Sequence, residues 1–341
     1  MINLIFTIDY EIFGNGEGSL AELVHGPAGR LKAIFDRRNV QFVVFVEAAE
    51  LEMIDSHGTD DAIGLVRHQV RDFYRSGYEI GLHLHPQWYN GRYENGRWLL
   101  DYGEYNLCTQ PQERIVQIVH RAIRYLRDLS GAPDFTPLSF RAGNWLFQPS
   151  RSLAQVLIEQ GIRVDSSVFK GGLQHQHGMD YRPALKHGYY WSFTDDVNIA
   201  SPAGRLTEFP TYTRMVPTWR LLSAKRVSLQ RSSLARSPSL KSRLSRLQDF
   251  LHLKHPMKLD FCRMTMEELT NMVGDEIKKD REDPAVYRPI IAIGHTKDLI
   301  DFGTVEAFLD YLHGNGIRIS AFDEAVRNVH NLGSSPEKGP S

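Results

Sequence analysis

Cysteine is nearly absent. Cys108 and Cys262 are the only two in 341 residues, too few for a disulfide framework or a Cys-rich zinc site, so a reducing compartment is the simpler expectation. Long apolar runs are missing too: no stretch approaches the roughly eighteen consecutive apolar residues that a membrane span needs. The opening Ile2-Asn3-Leu4-Ile5-Phe6-Thr7-Ile8-Asp9 has no basic region or small-residue cleavage site ahead of an apolar core, unlike a secretory leader. The expectation is a cytoplasmic protein. A charge excess of one sign is lacking as well. The formal net charge of −1 gives no ground for a nucleic-acid partner, and none is expected. No internal repeat is visible. With 42% hydrophobic and 24% charged residues, the composition is that of an ordinary folded enzyme with one large α/β domain or two modest ones.

The charge is unevenly distributed. From Arg214 to Lys258 there are eleven Lys or Arg against one acid, Asp249, or +10 in 45 residues; the remainder then carries −1 − 10 = −11. Within that segment Leu240, Leu244, Leu247 and Leu251 recur at helical spacing behind Ser237-Pro238, a plausible cap and first turn. A basic helical insertion over about 214–258 is expected, either packing its leucines on the main body or meeting an anionic membrane surface or an anionic substrate.

Elsewhere short apolar runs alternate with longer helical patterns. Strands are expected at 2–9, 41–46, 78–85, 138–141, 162–165, 206–209, 289–294 and 317–320. Helices are expected near 27–38, 60–76, 111–129, 150–160 and 304–314. In the third helix Ile115, Ile118, Val119, Ala122, Ile123 and Leu126 keep the 3.6-residue period. Strands alternating with helices imply right-handed βαβ units. This many units favour a distorted (β/α) barrel of about seven parallel strands over an open sheet. The catalytic barrel is expected over 1–330, with a disordered tail from 331 to 341.

In such barrels chemistry sits at the C-terminal ends of the strands. Those ends read Asp9-Tyr10-Glu11, His83-Leu84-His85-Pro86, Arg141, Asp165-Ser166-Ser167 and Gly294-His295. His83 and His85 are two apart on an extended segment and so leave one face, with Cα atoms roughly 6.6 Å apart at about 3.3 Å per residue. Two imidazoles and the Glu11 carboxylate suit a divalent ion with an open position, Zn²⁺ being the expected one, and would also suit Fe(II). Asp9 shares the face of Glu11 and can take a proton from water whose pKa an adjacent ion has lowered toward ~7. Arg141 can hold Asp9 ionised. His295 can protonate a departing amine. Trp88, Tyr89, Trp98 and Trp145 are candidates for stacking on a substrate ring. The His175-Gln176-His177 run reads better as part of a Gly-rich loop than as a second metal site.

The ordered set resembles the polysaccharide deacetylase family, carbohydrate esterase family 4 and its relatives, over residues 7 to about 320. Thr7-Ile8-Asp9-Tyr10-Glu11 looks like the family's acidic motif, Glu79-Ile80-Gly81-Leu82-His83-Leu84-His85-Pro86 like its histidine motif, and Ser139-Phe140-Arg141-Ala142-Gly143-Asn144-Trp145 like its arginine motif. Asp165-Ser166-Ser167 and Gly294-His295 resemble the last two. The resemblance implies a metal-dependent sugar N-deacetylase in which Asp9 is the base, His295 the acid and Glu11, His83 and His85 the ligands. The substrate implied is an N-acetylated sugar in a glycan, a lipid-linked intermediate or a nucleotide sugar. Two departures mark a divergent branch. The histidines are spaced H-x-H where the family has H-x-x-x-H, and Gly143 stands where the family has Pro. An amidohydrolase acting on a non-sugar amide and an inactive glycan-binding relative remain alternatives.

Overall fold

The computed structural model describes residues 1–217 and 254–333. Leu240, Leu244, Leu247, Leu251 and all but the two ends of the basic segment lie outside these, as do residues 334–341.

The first strand, β1 (Ile2–Tyr10), is buried along its whole length, as parallel strands covered on both faces must be. It belongs to a sheet continued by β2 (Val43–Glu47), β3 (Ile80–Leu84), β4 (Ser139–Ala142) and β5 (Val164–Asp165). The antiparallel strand β6 (Trp191–Phe193) lies at one edge, paired with β7 (Leu206–Glu208). A short ribbon, β8 (Thr213–Pro217) with β9 (Lys254–Lys258), follows; β10 (Arg288–His295) and β11 (Arg318–Ile319) return to the main sheet. The order β7-β5-β4-β3-β2-β1-β10 is parallel throughout, and β11 pairs with the start of β1. The sheet curls until its ends meet. Thr211, beyond β7, bridges Ile291 of β10, and Tyr212 N–H donates to the Ile291 carbonyl at 2.9 Å. The expected distorted (β/α) barrel of seven parallel strands is therefore present, closed at one seam by isolated bridges instead of a ladder.

Helices α1 (Gly26–Asp36), α2 (Ala48–His57), α3 (Ile63–Arg75), α4 (Gln112–Ser130), α5 (Arg151–Glu159), α6 (Met266–Glu282), α7 (Phe302–Gly314) and α8 (Phe322–Gly333) complete the structure. The six apolar positions anticipated on α4 are all buried. Three helices were not anticipated: α2, which follows β2 without a loop; α6; and α8, which runs three residues into the stretch expected to be a tail. The two ends of the basic segment are strands instead of helix. No helix among the described residues is long and apolar enough to cross a membrane.

Strand period decides what faces the barrel interior. Ile5, Val43, Phe45, Val164, Phe209 and Ile291 form an apolar cluster there, packed from one mouth by Phe322 and Ala325 of α8. Continuing each strand by steps of two leads from that plug to polar residues at the other mouth. Ile5 leads to Thr7, Asp9 and Glu11; Phe45 to Glu47; Gly81 to His83 and His85; Ser139 to Arg141; Ile291 to His295. Gly81 is needed in this layer because a Cβ there would lie 2.6 Å from the Phe45 ring and 2.8 Å from Ser139 Oγ.

Candidate active site

The sequence-predicted residues arrive at the same mouth from four strands. Asp9 and His295 are paired across β1 and β10, and His83 and Arg141 across β3 and β4. Glu11, His83 and His85 bring one donor atom each within 4.8 Å of one another, and all three are buried. Glu11 Oε2 lies 3.1 Å from His85 Nε2 and 3.4 Å from His83 Nε2. Asp9, Glu11 and His295 form a second, overlapping group by the same measure.

Donor accounting tests whether this set fits a cation. His83 Nδ1 lies 2.9 Å from the Arg141 carbonyl oxygen. It must therefore carry the proton, which leaves the Nε2 lone pair aimed at Glu11. Glu11 Oε2 itself has no hydrogen-bond donor although it is fully buried. Two electron-rich atoms face each other, and only a proton or a cation between them makes that stable. Without an ion the proton fills the gap: burial pushes the His83 imidazole down, but Asp9 and Glu11 outweigh it and raise it to about 9. His85 Nδ1 is 3.2 Å from the side-chain amides of both Gln87 and Asn144, while Gln87 Oε1 is buried without a partner. Turning the amide ends of both Gln87 and Asn144 over lets their oxygens accept from Nδ1–H and frees the His85 Nε2 lone pair. The donor set fits a divalent ion.

The two acids differ in surroundings. Burial would raise Asp9, but Arg141, His83 and His295 together hold its carboxyl below the ordinary range. Arg141 is itself fully buried; its Nη1 donates to Asp9 Oδ1 at 2.6 Å and its Nη2 to Thr7 Oγ1 at 2.9 Å. Its remaining donors go to the Ser166 carbonyl at 3.1 Å and Ser166 Oγ at 3.2 Å. Ser167 Oγ accepts from Ala142 N–H at 2.8 Å and donates to Asp165 at 2.6 Å. The Asp165-Ser166-Ser167 run thus braces the arginine strand. Asp9 Oδ2 is left to face His295 Nε2 at 3.4 Å. Burial would raise Glu11 as well, but Lys297 and His85 hold it well below its usual range, with Lys297 Nζ 2.7 Å from Oε1.

Several of these neighbours were not anticipated. Lys297 sits two residues beyond His295. Glu47, the last residue of β2, lies in register with His83 and accepts from His85 N–H at 2.7 Å. Glu50 accepts from Ile12 N–H at 2.8 Å. Burial pushes Glu47 up to about 8 and Glu50 well above its usual value. Asp298 Oδ2 is 3.5 Å from His295 Nδ1, and Arg263 grips both carboxylate oxygens of Asp298 at 2.8 and 2.7 Å. Gly143 is demanded by the site, since a Cβ there would lie 2.5 Å from the Leu84 carbonyl and 2.8 Å from the His85 ring. Asn144 and Trp145 follow it with φ of 56° and 65°, a strained pair that keeps Asn144 against His85.

The aromatic candidates divide. Trp88, Tyr89 and Trp98 are buried, so they pack, whereas Trp145 is only partly buried and touches the site. His175 and His177 lie on a turn away from the cluster, with His177 against Tyr105 at 4.8 Å between rings.

No family model and no curated protein matches the sequence. Solved structures do match in fold. A Mycobacterium smegmatis protein named as a polysaccharide deacetylase aligns over 100% of this chain and 94% of its own, at 16% identity and a TM-score of 0.55. The Puue allantoinase aligns over 97% and 90%, at 14% identity and 0.51. A GH57 branching enzyme from Thermococcus kodakaraensis aligns over 98% and 72%, at 12% identity and 0.57. At these identities the likeness is one of fold: the chain has the distorted (β/α) barrel of the polysaccharide deacetylases.

Proposed function

We propose that the protein is a metal-dependent hydrolase that removes N-acetyl groups from an amino sugar carried on a glycan, a lipid or a nucleotide. One observation carries the reading: the donor-less Glu11 Oε2 faces the Nε2 atoms of His83 and His85, with Asp9 and His295 alongside. Glu11, His83 and His85 would hold the ion, Zn²⁺ by their mixed nitrogen and oxygen donors. When bound it would polarise the acetyl carbonyl and make water a better nucleophile at neutral pH.

The chain's own residues supply the proton traffic. Arg141 occupies Asp9 Oδ1 and keeps the carboxylate charged, so Oδ2 can take the proton of the attacking water. As the new C–O bond forms and the amide C–N bond breaks, His295 gives a proton to the amine nitrogen, and acetate and a free amino sugar leave. Asp9 Oδ2 and His295 Nε2 are 3.4 Å apart, close enough for the proton taken by one to return to the other and reset the pair. Arg263 and Asp298 fix the orientation of the imidazole from behind.

A second reading, hydrolysis of a non-sugar amide, is favoured by the shared fold of an allantoinase and would use the same groups. Contact of the basic segment 214–258 with an anionic membrane surface would bring the barrel to lipid-linked sugars at the inner face. The test is acetate release from N-acetylated nucleotide, lipid-linked and free sugars, with allantoin as the competing substrate, in the presence of Zn²⁺ and of chelator.

A further inference from the structure

Among the described residues, the cations around the site are accounted for with one exception. Arg141 is paired with Asp9, Lys297 with Glu11 and Arg263 with Asp298. Lys258, the last residue of β9, is different. Its Nζ lies 4.1 Å from the centre of the Trp145 ring and 4.6 Å from that of Phe169. Among the described residues it has neither an ion-pair partner nor a hydrogen-bond acceptor. The same Trp145 ring has the Arg141 guanidinium at 5.7 Å, so the ammonium stands over the residue that links the arginine strand to the site. The charges of Asp260 and Arg263 act on it most strongly, and those of Asp9 and Arg141 of the site act on it as well.

Its placement is fixed by the backbone. Leu259 N–H donates to the Tyr212 carbonyl at 2.8 Å, and Ile293 N–H donates to the Leu259 carbonyl at 2.9 Å. The residue after Lys258 is thus stitched into the seam of the barrel, two residues from His295. A half-buried ammonium held on two aromatic faces is stabilised by the rings, but its three donors want oxygen acceptors, and the described residues provide none. Burial pushes its pKa down to about 8, although the charge of Asp260 opposes the shift.

We propose that Lys258 is the specificity residue for an anionic substrate, receiving a carboxylate or phosphate oxygen carried by the N-acetylated sugar at the mouth of the barrel. This rests on the deacetylase reading above and narrows it: the sugar is acidic or phosphorylated. It also assigns Trp145 a different task from ring stacking, since its face supports the ammonium.

Calorimetric titration of zinc-loaded wild type, Lys258→Met and Lys258→Arg tests it, with N-acetylglucosamine 1-phosphate, N-acetylglucosaminuronic acid and neutral N-acetylglucosamine as probes. Wild type should bind at least one of the anions more tightly than the neutral sugar, and which one it prefers identifies phosphate or carboxylate. Lys258→Met should lose that preference by ~10- to 100-fold, as loss of a charged hydrogen bond predicts, with unchanged zinc content and circular dichroism. Lys258→Arg should retain most of the preference. The inference is overturned if wild type binds the neutral sugar as tightly as either anion, or if Lys258→Met keeps the anion preference. A wild type that holds zinc yet binds none of the three overturns the inference as well, and acetate release from nucleotide and lipid-linked N-acetylated sugars then decides the deacetylase reading separately.

Discussion

Replacing Arg141 with Met should expose how the site keeps its base charged. Arg141 is fully buried and Asp9 only 2% exposed, so the substitution leaves a carboxylate out of water with its main counter-charge gone. Breaking a buried ion pair from one side costs about 3–5 kcal/mol, a large share of the roughly 5–15 kcal/mol that holds a typical domain together. At about 2 °C per kcal/mol for a large domain, the melting temperature should fall by roughly 6–10 °C. The sign with pH follows from linkage. In the wild type Asp9 is depressed below its ordinary 3.8, so it contributes stability above that value and loses it as pH falls through the folded pKa. In Arg141→Met, burial is no longer opposed by the guanidinium, and the carboxyl moves up. The deficit against wild type should therefore be full at neutral pH and shrink on acidification, and the acid limb of the pH–rate profile should move upward. Differential scanning calorimetry across pH reads the first effect. The double variant Asp9→Asn/Arg141→Met, which removes the stranded charge, should recover much of the loss. If it melts no higher than Arg141→Met alone, uncompensated Asp9 charge is not what the arginine neutralises, and the reasoning fails.

Three further outcomes are expected. Asp9→Asn should retain zinc by metal analysis while turnover falls ~10²-fold or more, whereas Glu11→Gln should lose the metal; the reverse pattern would exchange the roles of the two acids. Gly143→Ala should weaken zinc binding ~10- to 100-fold in chelator competition, because the added methyl meets the Leu84 carbonyl and the His85 ring. Asp298→Asn should lower kcat by ~10-fold or more with KM and metal content unchanged, part of what an oriented acid contributes; an effect confined to KM would remove Asp298 from the positioning of His295.

The strand ends were legible because a parallel barrel repeats one rule: apolar run, then functional residue, then helix. That rule gathers Asp9, Glu11, His83, His85, Arg141 and His295 at one mouth, and the strand bounds it implies fall within a few residues of those observed. Glu47 answers to the same rule and was missed because the second strand was ended at Val46; one more residue would have placed an acid in register with His83. Helix α2 is capped by Glu47 itself, whose side chain accepts from Glu50 N–H, so no loop composition separates strand from helix. Helix α6 does carry a local signal, the Thr265–Glu268 capping box, that the alternation of strands and helices did not need and so did not reveal. Lys258, Arg263 and Asp298 were beyond reach in another way. Their roles depend on a seam closed by single bridges at Thr211 and Asp260, and no periodicity in the sequence encodes which distant loop fills such a gap. Gly143, which departs from the family pattern, has its explanation in the close approach of His85.

Metal-dependent hydrolysis of N-acetylated sugars by this barrel can be read from acetate release across the sugar panel with the protein in two states, zinc-loaded and chelator-stripped. Acetate and free amine should appear in equal amounts from at least one sugar with the loaded protein, both should be lost on stripping, and both should return when zinc is restored. Acetate release that is indifferent to the chelator, or none from any sugar by protein that demonstrably holds its ion, would contradict the proposed function.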